Sequence, residues 1–521
     1  MIARLAALLA GLAGWRRALV AFAFGVAATA ALPPFYLLPL LIVAFTGLPW
    51  QLEGCRAKRD AAVIGWFFGI GFFATGLYWI AESMLVDAAR HAWLIPFAMV
   101  GLSGGLALFP AGVAVALLYV RRRRWVAGAG VPFAFALLWT FSEWLRGWLL
   151  TGFPWHLVGT AWVAVEPVLQ FAAVAGVFGL SLLTATLAAL PAALAAPDGT
   201  PARRPAWIAL GAAVAALAVI WIGGAWRLND APDPRADPVP GVILRIVQAS
   251  IPQHLKWRDD LRSGHVRRQI ALSRGPGEPA PSHVIWPETA VPFYLESDEG
   301  LRQALGAAVP PGGLLITGAP RFDGPAGARR YYNSVQALNA DGVIVATYDK
   351  VHLVPFGEYM PLGDLLPWGQ LAAGAGAFSA GPERRTLNLP GLPPLSPLVC
   401  YEVIFPGAVA RRDAPPAWLL NVTNDAWFGR SAGPHQHLAL ARVRAVEEGL
   451  PLVRAANTGI SAVVDPYGRV MARLGIGVAG VIDEVLPRPL DGATPFRALG
   501  EAWLVALGLL WIVVARLSSR P

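Results

Sequence analysis

The feature that most restricts this chain is the gathering of its apolar residues into long uninterrupted segments, which fill residues 1–224 and return at 499–515. A helix crossing a bilayer needs about 20 mostly apolar residues, because each adds about 1.5 Å against a hydrocarbon core about 30 Å thick. That requirement predicts eight spans, near 16–32, 34–50, 61–81, 92–120, 125–145, 167–196, 206–224 and 499–517. The second is punctuated by Pro34, Pro39 and Pro49. A chain with 56% hydrophobic and 14% charged residues cannot be intrinsically disordered, and two cysteines cannot make a disulfide-stapled scaffold.

The connecting segments set an orientation. Arg16 and Arg17 precede the first span; Arg56, Lys58 and Arg59 follow the second; Arg121, Arg122, Arg123 and Arg124 follow the fourth; Arg203 and Arg204 follow the sixth. Arg516 and Arg520 lie at the end of the eighth, whereas the alternate loops carry little beyond Arg90 and Arg146. Cationic loops stay in the cytoplasm, so both termini are expected inside and the polar region 225–498 outside. The net charge of +9 divides the same way. Residues 1–224 hold 14 Lys/Arg against 7 Asp/Glu, while residues 225–498 hold 26 against 25. The basicity is a topology signal, and it points to a lipid bilayer rather than nucleic acid as partner. Residues 16–30, ending in Ala28-Thr29-Ala30, also have the form of a cleavable signal peptide, which would leave the later topology unchanged. The stretch with Trp148, Trp155 and Trp162 is expected at the outer interface, where indole rings prefer to lie.

The organisation expected is therefore a transmembrane domain at 1–224 with seven helices, a linker at 225–240, an extracytoplasmic domain at 241–486, a second linker at 487–498, and an eighth helix at 499–517. Within 241–486, short β-rich runs alternate with helical stretches near 257–274, 298–308 and 434–449. The strand-like runs are 242–248, 283–286, 313–317, 334–338, 343–347, 397–399, 418–423, 452–455 and 462–464. Such alternation predicts a layered α/β domain.

Three strand ends stop in reactive residues. H-V-I-W-P-E-T delivers Glu288; Y-D-K-V-H-L-V-P-F-G-E-Y delivers Lys350 and then Glu358; L-S-P-L-V-C-Y-E delivers Cys400. Cys55 is expected on the cytoplasmic side, out of reach of Cys400, and a free thiol in an oxidising compartment is a liability unless chemistry requires it. Lysine occurs only at 58, 256 and 350 in a chain rich in arginine, which suggests a compact ammonium that arginine cannot replace. A thiol, a carboxylate that takes its proton and an ammonium that stabilises an oxyanion are what acyl transfer through a thioester requires. No zinc-type His/Cys spacing and no Gly-rich phosphate loop is present, so no metal and no cofactor is expected; His435 and His437 read as polar residues at a helix start.

Glu, Lys and Cys in this order, each at a strand end, resemble the nitrilase superfamily of carbon–nitrogen hydrolases. The fuller strings W-P-E-T, K-V-H-L-V-P-F-G-E-Y-M-P-L, C-Y-E-V-I-F-P and N-D-A-W-F-G, on an outward domain between seven spans and one, resemble the apolipoprotein N-acyltransferase family. The resemblance implies an α-β-β-α sandwich in a bacterial inner-membrane protein with a periplasmic catalytic domain. It implies Glu288 as general base, Lys350 as oxyanion stabiliser and Cys400 as nucleophile, with Glu358, Tyr401, Glu402 and Trp257 in support. Asn424, Asp425 and Trp427 fall in a further block of the family without an assigned role. The implied reaction moves a fatty acyl group from a phospholipid, through a Cys400 thioester, to the α-amine of a diacylglyceryl-modified lipoprotein cysteine. A membrane-tethered amidase or nitrilase, in which water resolves the thioester, shares the first half of that chemistry. Residues 359–372, with Met360, Leu362, Leu365, Leu366 and Trp368, are too apolar for an ordinary exposed loop and are expected to form an arm giving lipid access.

Overall fold

A computed structural model describes residues 2–195, 204–325, 327–361 and 378–519. The chain divides into two compact units, Met1–Asp230 with Thr494–Pro521, and Ala231–Ala493.

The first unit is helical. Every predicted span contains a helix: Gly14–Thr29, Leu38–Glu53, Lys58–Gly76, Ile95–Leu106 followed by Leu108–Arg122, Gly130–Arg146, Ala172–Ala189, Arg204–Asn229 and Ala502–Leu517. A further helix, Ile2–Gly11, precedes them. The expected span at 92–120 breaks near Ala107, because Pro110 has no N–H to offer the carbonyl of Leu106. Among the described residues three helical stretches, Ala88–Arg122, Ala172–Leu194 and Arg204–Asn229, are long and apolar enough to cross a membrane. Close packing uses small residues: a Cβ on Gly25 would sit 2.0 Å from the backbone oxygen of Phe68 on the neighbouring helix.

Two of the three tryptophans expected at an interface are instead packed inside this unit. Trp155 and Trp162 are buried and only Trp148 is exposed. The loop carrying them is drawn back onto the helix Gly130–Arg146. Arg146 donates to the carbonyls of Phe153, at 2.8 Å, and of Trp155, while Glu143 accepts from Trp139 Nε1 at 3.0 Å and from the Val158 N–H at 2.9 Å.

The second unit holds eleven strands among its described residues: β1 (Pro238–Gln248), β2 (His283–Ile285), β3 (Leu315–Asp323), β4 (Arg330–Leu338), β5 (Ile344–Asp349), β6 (Leu395–Val399), β7 (Trp418–Thr423), β8 (Leu452–Ala456), β9 (Ser461–Val464), β10 (Val470–Leu474) and β11 (Gly480–Pro487). They form one sheet in the order β11-β1-β2-β3-β4-β5 and another in the order β10-β9-β8-β7-β6. The first has a parallel centre, β1-β2-β3, with antiparallel flanks; in the second β6-β7-β8 are parallel and run to one edge, with β9 and β10 antiparallel on the other side. Parallel strands need cover on both faces, and the side-chain alternation supplies it. Leu244, Ile246, Ile285 and Ile316 meet Leu420, Val422, Val453 and Val463 in one core. Their neighbours Val247, Val284, Trp286 and Leu315 point the other way, into a second core with Val266 and Leu305 from the helices Asp259–Arg274 and Glu299–Gly306. The helix Gly433–Glu448 contacts β8 and the turn after β6, completing an α-β-β-α order.

All nine strand-like runs read from the sequence overlap strands, three of them running one or two residues past an end; β10 and β11 were not expected. β10 is only half-buried and β11 alternates buried with half-buried residues, so neither carries the apolar signal of a core strand. The segment between the first unit and the second is shorter than the expected 225–240, since the helix runs to Asn229 and β1 begins at Pro238.

Candidate active site

The carboxyl ends of parallel strands are where open α/β sheets leave side chains free for chemistry. Glu288 follows β2 by three residues, Cys400 directly follows β6, and Lys350 directly follows the antiparallel strand β5.

Lys350 is set by the sheet edge. Its N–H donates to the Asn333 carbonyl at 2.9 Å, continuing the β4–β5 ladder in which Ser334 faces Asp349. Asp349 is held by both nitrogens of the Arg321 fork, at 2.9 and 2.7 Å, and by Ser334 Oγ at 2.6 Å. The ammonium, 1% exposed, pairs with Glu358 Oε2 at 2.7 Å. Burial opposes its charge, but Glu358 and then Glu288 more than offset this and hold it above the ordinary lysine range.

The two glutamates share one amide. Asn333 Nδ2 donates to Glu288 Oε1 at 2.6 Å and to Glu358 Oε1 at 2.9 Å. The other oxygens accept backbone N–H groups: Glu288 Oε2 from Asn424 at 2.8 Å, and Glu358 Oε2 from Val354 at 2.8 Å. Burial, only partly countered by the charge of Lys350, raises the Glu288 carboxyl above its usual range, in the direction a general base working near neutrality needs.

Cys400 sits in a strained turn. It has φ +51°, a left-handed conformation that costs a non-glycine residue about 1–3 kcal/mol and recurs where a side chain must be presented. Glu402 holds the turn. Its Oε2 accepts from the Val399 N–H at 2.8 Å and its Oε1 from the N–H groups of Val351 and His352 at 2.9 and 3.1 Å, with Tyr348 Oη at 3.0 Å. One carboxylate thus ties the strand end that carries Cys400 to the segment just after Lys350. Burial first, then the charge of Glu288, pushes the Cys400 thiol up against the opposing pull of Lys350. The resting sulfur is therefore a thiol, and attack requires that its proton be taken by a base.

Beneath the turn lies a second buried network. The Cys400 carbonyl is 3.2 Å from His437 Nε2 and 3.4 Å from Asn421 Nδ2. His437 Nδ1 is 2.9 Å from Asp425 Oδ1, and Arg454 donates to Asp425 Oδ2 at 2.7 Å and to Asn421 Oδ1. Burial would raise Asp425, but Arg454 and His437 together hold it well below the usual carboxylate range.

The remaining expected residues separate into inner and outer positions. Tyr401 is buried, its ring edge-on to Phe405 at 5.1 Å. Trp257 is 44% exposed, just after the short helix Gln253–Lys256, which Asn424 Nδ2 anchors through Gln253 Oε1 at 2.7 Å. Met360 is half-buried, while Leu362, Leu365, Leu366 and Trp368 lie outside the described residues.

Known proteins sharpen the reading. Residues 5–190 match the apolipoprotein N-acyltransferase N-terminal domain and residues 245–490 the carbon–nitrogen hydrolase domain. The chain is 42% identical to the apolipoprotein N-acyltransferase of Rhodopseudomonas palustris, covering 98% of this chain and 96% of that one. It is 44% identical to that of Bradyrhizobium diazoefficiens, over 97% and 96%, and 41% identical to that of Brucella melitensis biotype 1, over 99% and 97%. The chain belongs to the apolipoprotein N-acyltransferase family. Among solved structures, an amidase from Nesterenkonia sp. covers 52% of this chain and 99% of its own at 21% identity, with a TM-score of 0.37, too distant to inform the site.

In this apolipoprotein N-acyltransferase family member the second unit has the nitrilase-like carbon–nitrogen hydrolase fold, and the first is helical with apolar segments. Four site residues escaped sequence reasoning. Asn333 lies inside a strand, where an amide gives no signal. His437 was expected as a helix-start residue; it is fully buried beside the Cys400 carbonyl. Asn457 Nδ2 bonds Asn424 Oδ1 at 3.0 Å and bears on Glu288 only through that neighbour. Lys256 alone had a legible signal, as one of the chain's three lysines.

Proposed function

We propose that Glu288, Lys350 and Cys400 carry out a two-step acyl transfer in which Cys400 is the nucleophile. Cys400 Sγ attacks the ester carbonyl of a phospholipid while Glu288 takes the thiol proton. Lys350, held on Glu358, stabilises the oxyanion of the tetrahedral intermediate. Collapse forms the thioester and expels the lysophospholipid alkoxide, which recovers the proton from Glu288. The α-amine of the diacylglyceryl-cysteine at a lipoprotein's N-terminus then attacks the thioester, passing a proton through Glu288 to the departing thiolate as the amide forms. Glu358, Tyr401, Glu402 and Trp257 support these steps by position. Lipoprotein N-acylation is the activity named for every relative above, each matched over nearly its whole length.

The observation that carries the reading is the convergence of a strained, buried thiol, a base whose carboxyl is raised by burial, and a lysine locked on a second glutamate. Each substrate keeps acyl chains in a bilayer at about 0.8 kcal/mol per buried CH₂, so catalysis belongs at a membrane surface. We place the protein in the bacterial inner membrane with eight spans, both termini cytoplasmic and residues 241–486 periplasmic. The alternation of cationic loops supports this orientation. Replacing Cys400 with serine, with purified protein assayed on phospholipid and a diacylglyceryl peptide, is expected to abolish transfer. Full activity of that variant would overturn the thiol mechanism.

A further inference from the structure

The catalytic steps above leave the buried ammonium of Lys256 unused. Lys256 is 2% exposed at the end of the helix Gln253–Lys256. Its ammonium donates to the carbonyl oxygen of Glu288 at 3.0 Å and to Thr289 Oγ1 at 2.7 Å. No carboxylate oxygen pairs with it among the described residues, so it is spent on the backbone of the general base and the residue after it.

That backbone needs holding. Thr289 has φ +45°, a left-handed conformation that a β-branched residue rarely adopts. β3 also runs against the same turn. A Cβ on Gly318 would lie 2.4 Å from the Thr289 nitrogen and 2.6 Å from Glu288 Cα, so only glycine permits the approach. The Gly318 N–H donates to the Pro287 carbonyl at 3.2 Å and its carbonyl accepts from Val291 at 3.1 Å. Glu288 thus hangs on a turn held both by β3 and by Lys256.

We propose that Lys256 is a positioning residue for the general base, fixing the Glu288–Thr289 turn so that the carboxylate meets the Cys400 thiol. The inference rests on the roles given above to Glu288 and Cys400. A compact ammonium suits a buried contact with one carbonyl and one hydroxyl, whereas a guanidinium carries five donors to satisfy, which is consistent with one of only three lysines in the chain standing here. Burial lowers the ammonium to about 8, against the pull of Glu288 and Cys400. The charged and titratable groups bearing on Glu288 are Lys350, Glu358 and Lys256; those bearing on Cys400 include Glu288, Lys350 and Asp425. A positive charge favours the ionised carboxylate, so removing Lys256 should move the Glu288 titration to higher pH.

The test is the rate at which iodoacetamide alkylates Cys400 in the full chain in detergent, followed by peptide mass mapping across pH. This readout does not depend on any lipid substrate. Lys256→Met should slow alkylation at least tenfold near neutrality and shift the acid limb upward, whereas general loosening of the fold would speed it at every pH. Thr289→Val keeps the lysine, removes one acceptor and should slow alkylation several-fold; it decides the matter if the methionine variant does not fold. Rates and limbs equal to those of the unmodified chain in the folded variants would overturn the proposal. Absence of acyl transfer from phospholipid in the unmodified chain, with alkylation behaving as described, would instead count against the lipid reading alone.

Discussion

The Nε2 atom of His437 lies 3.2 Å from the carbonyl oxygen of Cys400, so the peptide unit of that cysteine is held by an imidazole with no exposed surface. This contact belongs to a chain running through Asp425 to Arg454. Its hydrogen-bond contact with Cys400 is at the carbonyl oxygen, and the charge of Asp425 bears on the thiol as well. Replacing His437 with leucine is expected to lower kcat by at least tenfold with little change in KM for phospholipid. Steady-state kinetics on purified, folded protein checks this, and an unaltered kcat would show that Glu402 and the strand end suffice.

Glu402 accepts three backbone N–H groups and a phenol without leaving the interior. Substitution by alanine strands the N–H groups of Val399, Val351 and His352, and one unsatisfied buried donor costs about 1–3 kcal/mol. The expected loss is at least about 3 kcal/mol in stability, or a fall in Tm of roughly 6–12 °C for a unit of this size. Thermal unfolding of the detergent-purified chain measures it.

Rate should depend on pH through Glu288. A base must be deprotonated to work, so the rate of acyl-enzyme formation falls as pH drops through its titration, and burial places that limb above the ordinary value of 4.5. The Asn333 amide favours the charged form, so Asn333→Ala is expected to move the limb further upward. A limb that moved down would contradict the assignment of Glu288 as the base.

Topology has its own test. Glu383 is exposed in the sandwich unit, and Arg123 follows the helix Leu108–Arg122 in the helical unit. In a background with Cys55 and Cys400 replaced, Glu383→Cys should react with a membrane-impermeant maleimide in spheroplasts, and Arg123→Cys should react only after permeabilisation. The reverse pattern would invert the proposed orientation.

Much of the fold was legible in the sequence because both signals are strong. Long apolar segments announce helices, and short, mostly apolar runs such as Trp418–Thr423 announce core strands. The weak edges β10 and β11 were illegible because half-buried strands mix polar and apolar residues. At the site, Glu288, Lys350 and Cys400 stood out at strand ends. Asn333, His437 and Asn457 did not, because their importance lies in contacts made across 25 or more positions of sequence: Asn333 to Glu358, His437 to Cys400, Asn457 to Asn424. Glu402 lay between, visible beside the cysteine, with its role as a clamp apparent only once the backbone of Val351 and His352 is seen folded onto it.

The central claim is that Cys400 carries the acyl group. The most direct measurement is the intact mass of the purified chain after incubation with phospholipid alone, with and without hydroxylamine. The expected result is an acyl-sized increase that maps to Cys400, is removed by hydroxylamine, persists in water and disappears when a diacylglyceryl peptide with a free α-amine is added. An unchanged mass during turnover, or an adduct that survives in Cys400→Ala, would contradict it.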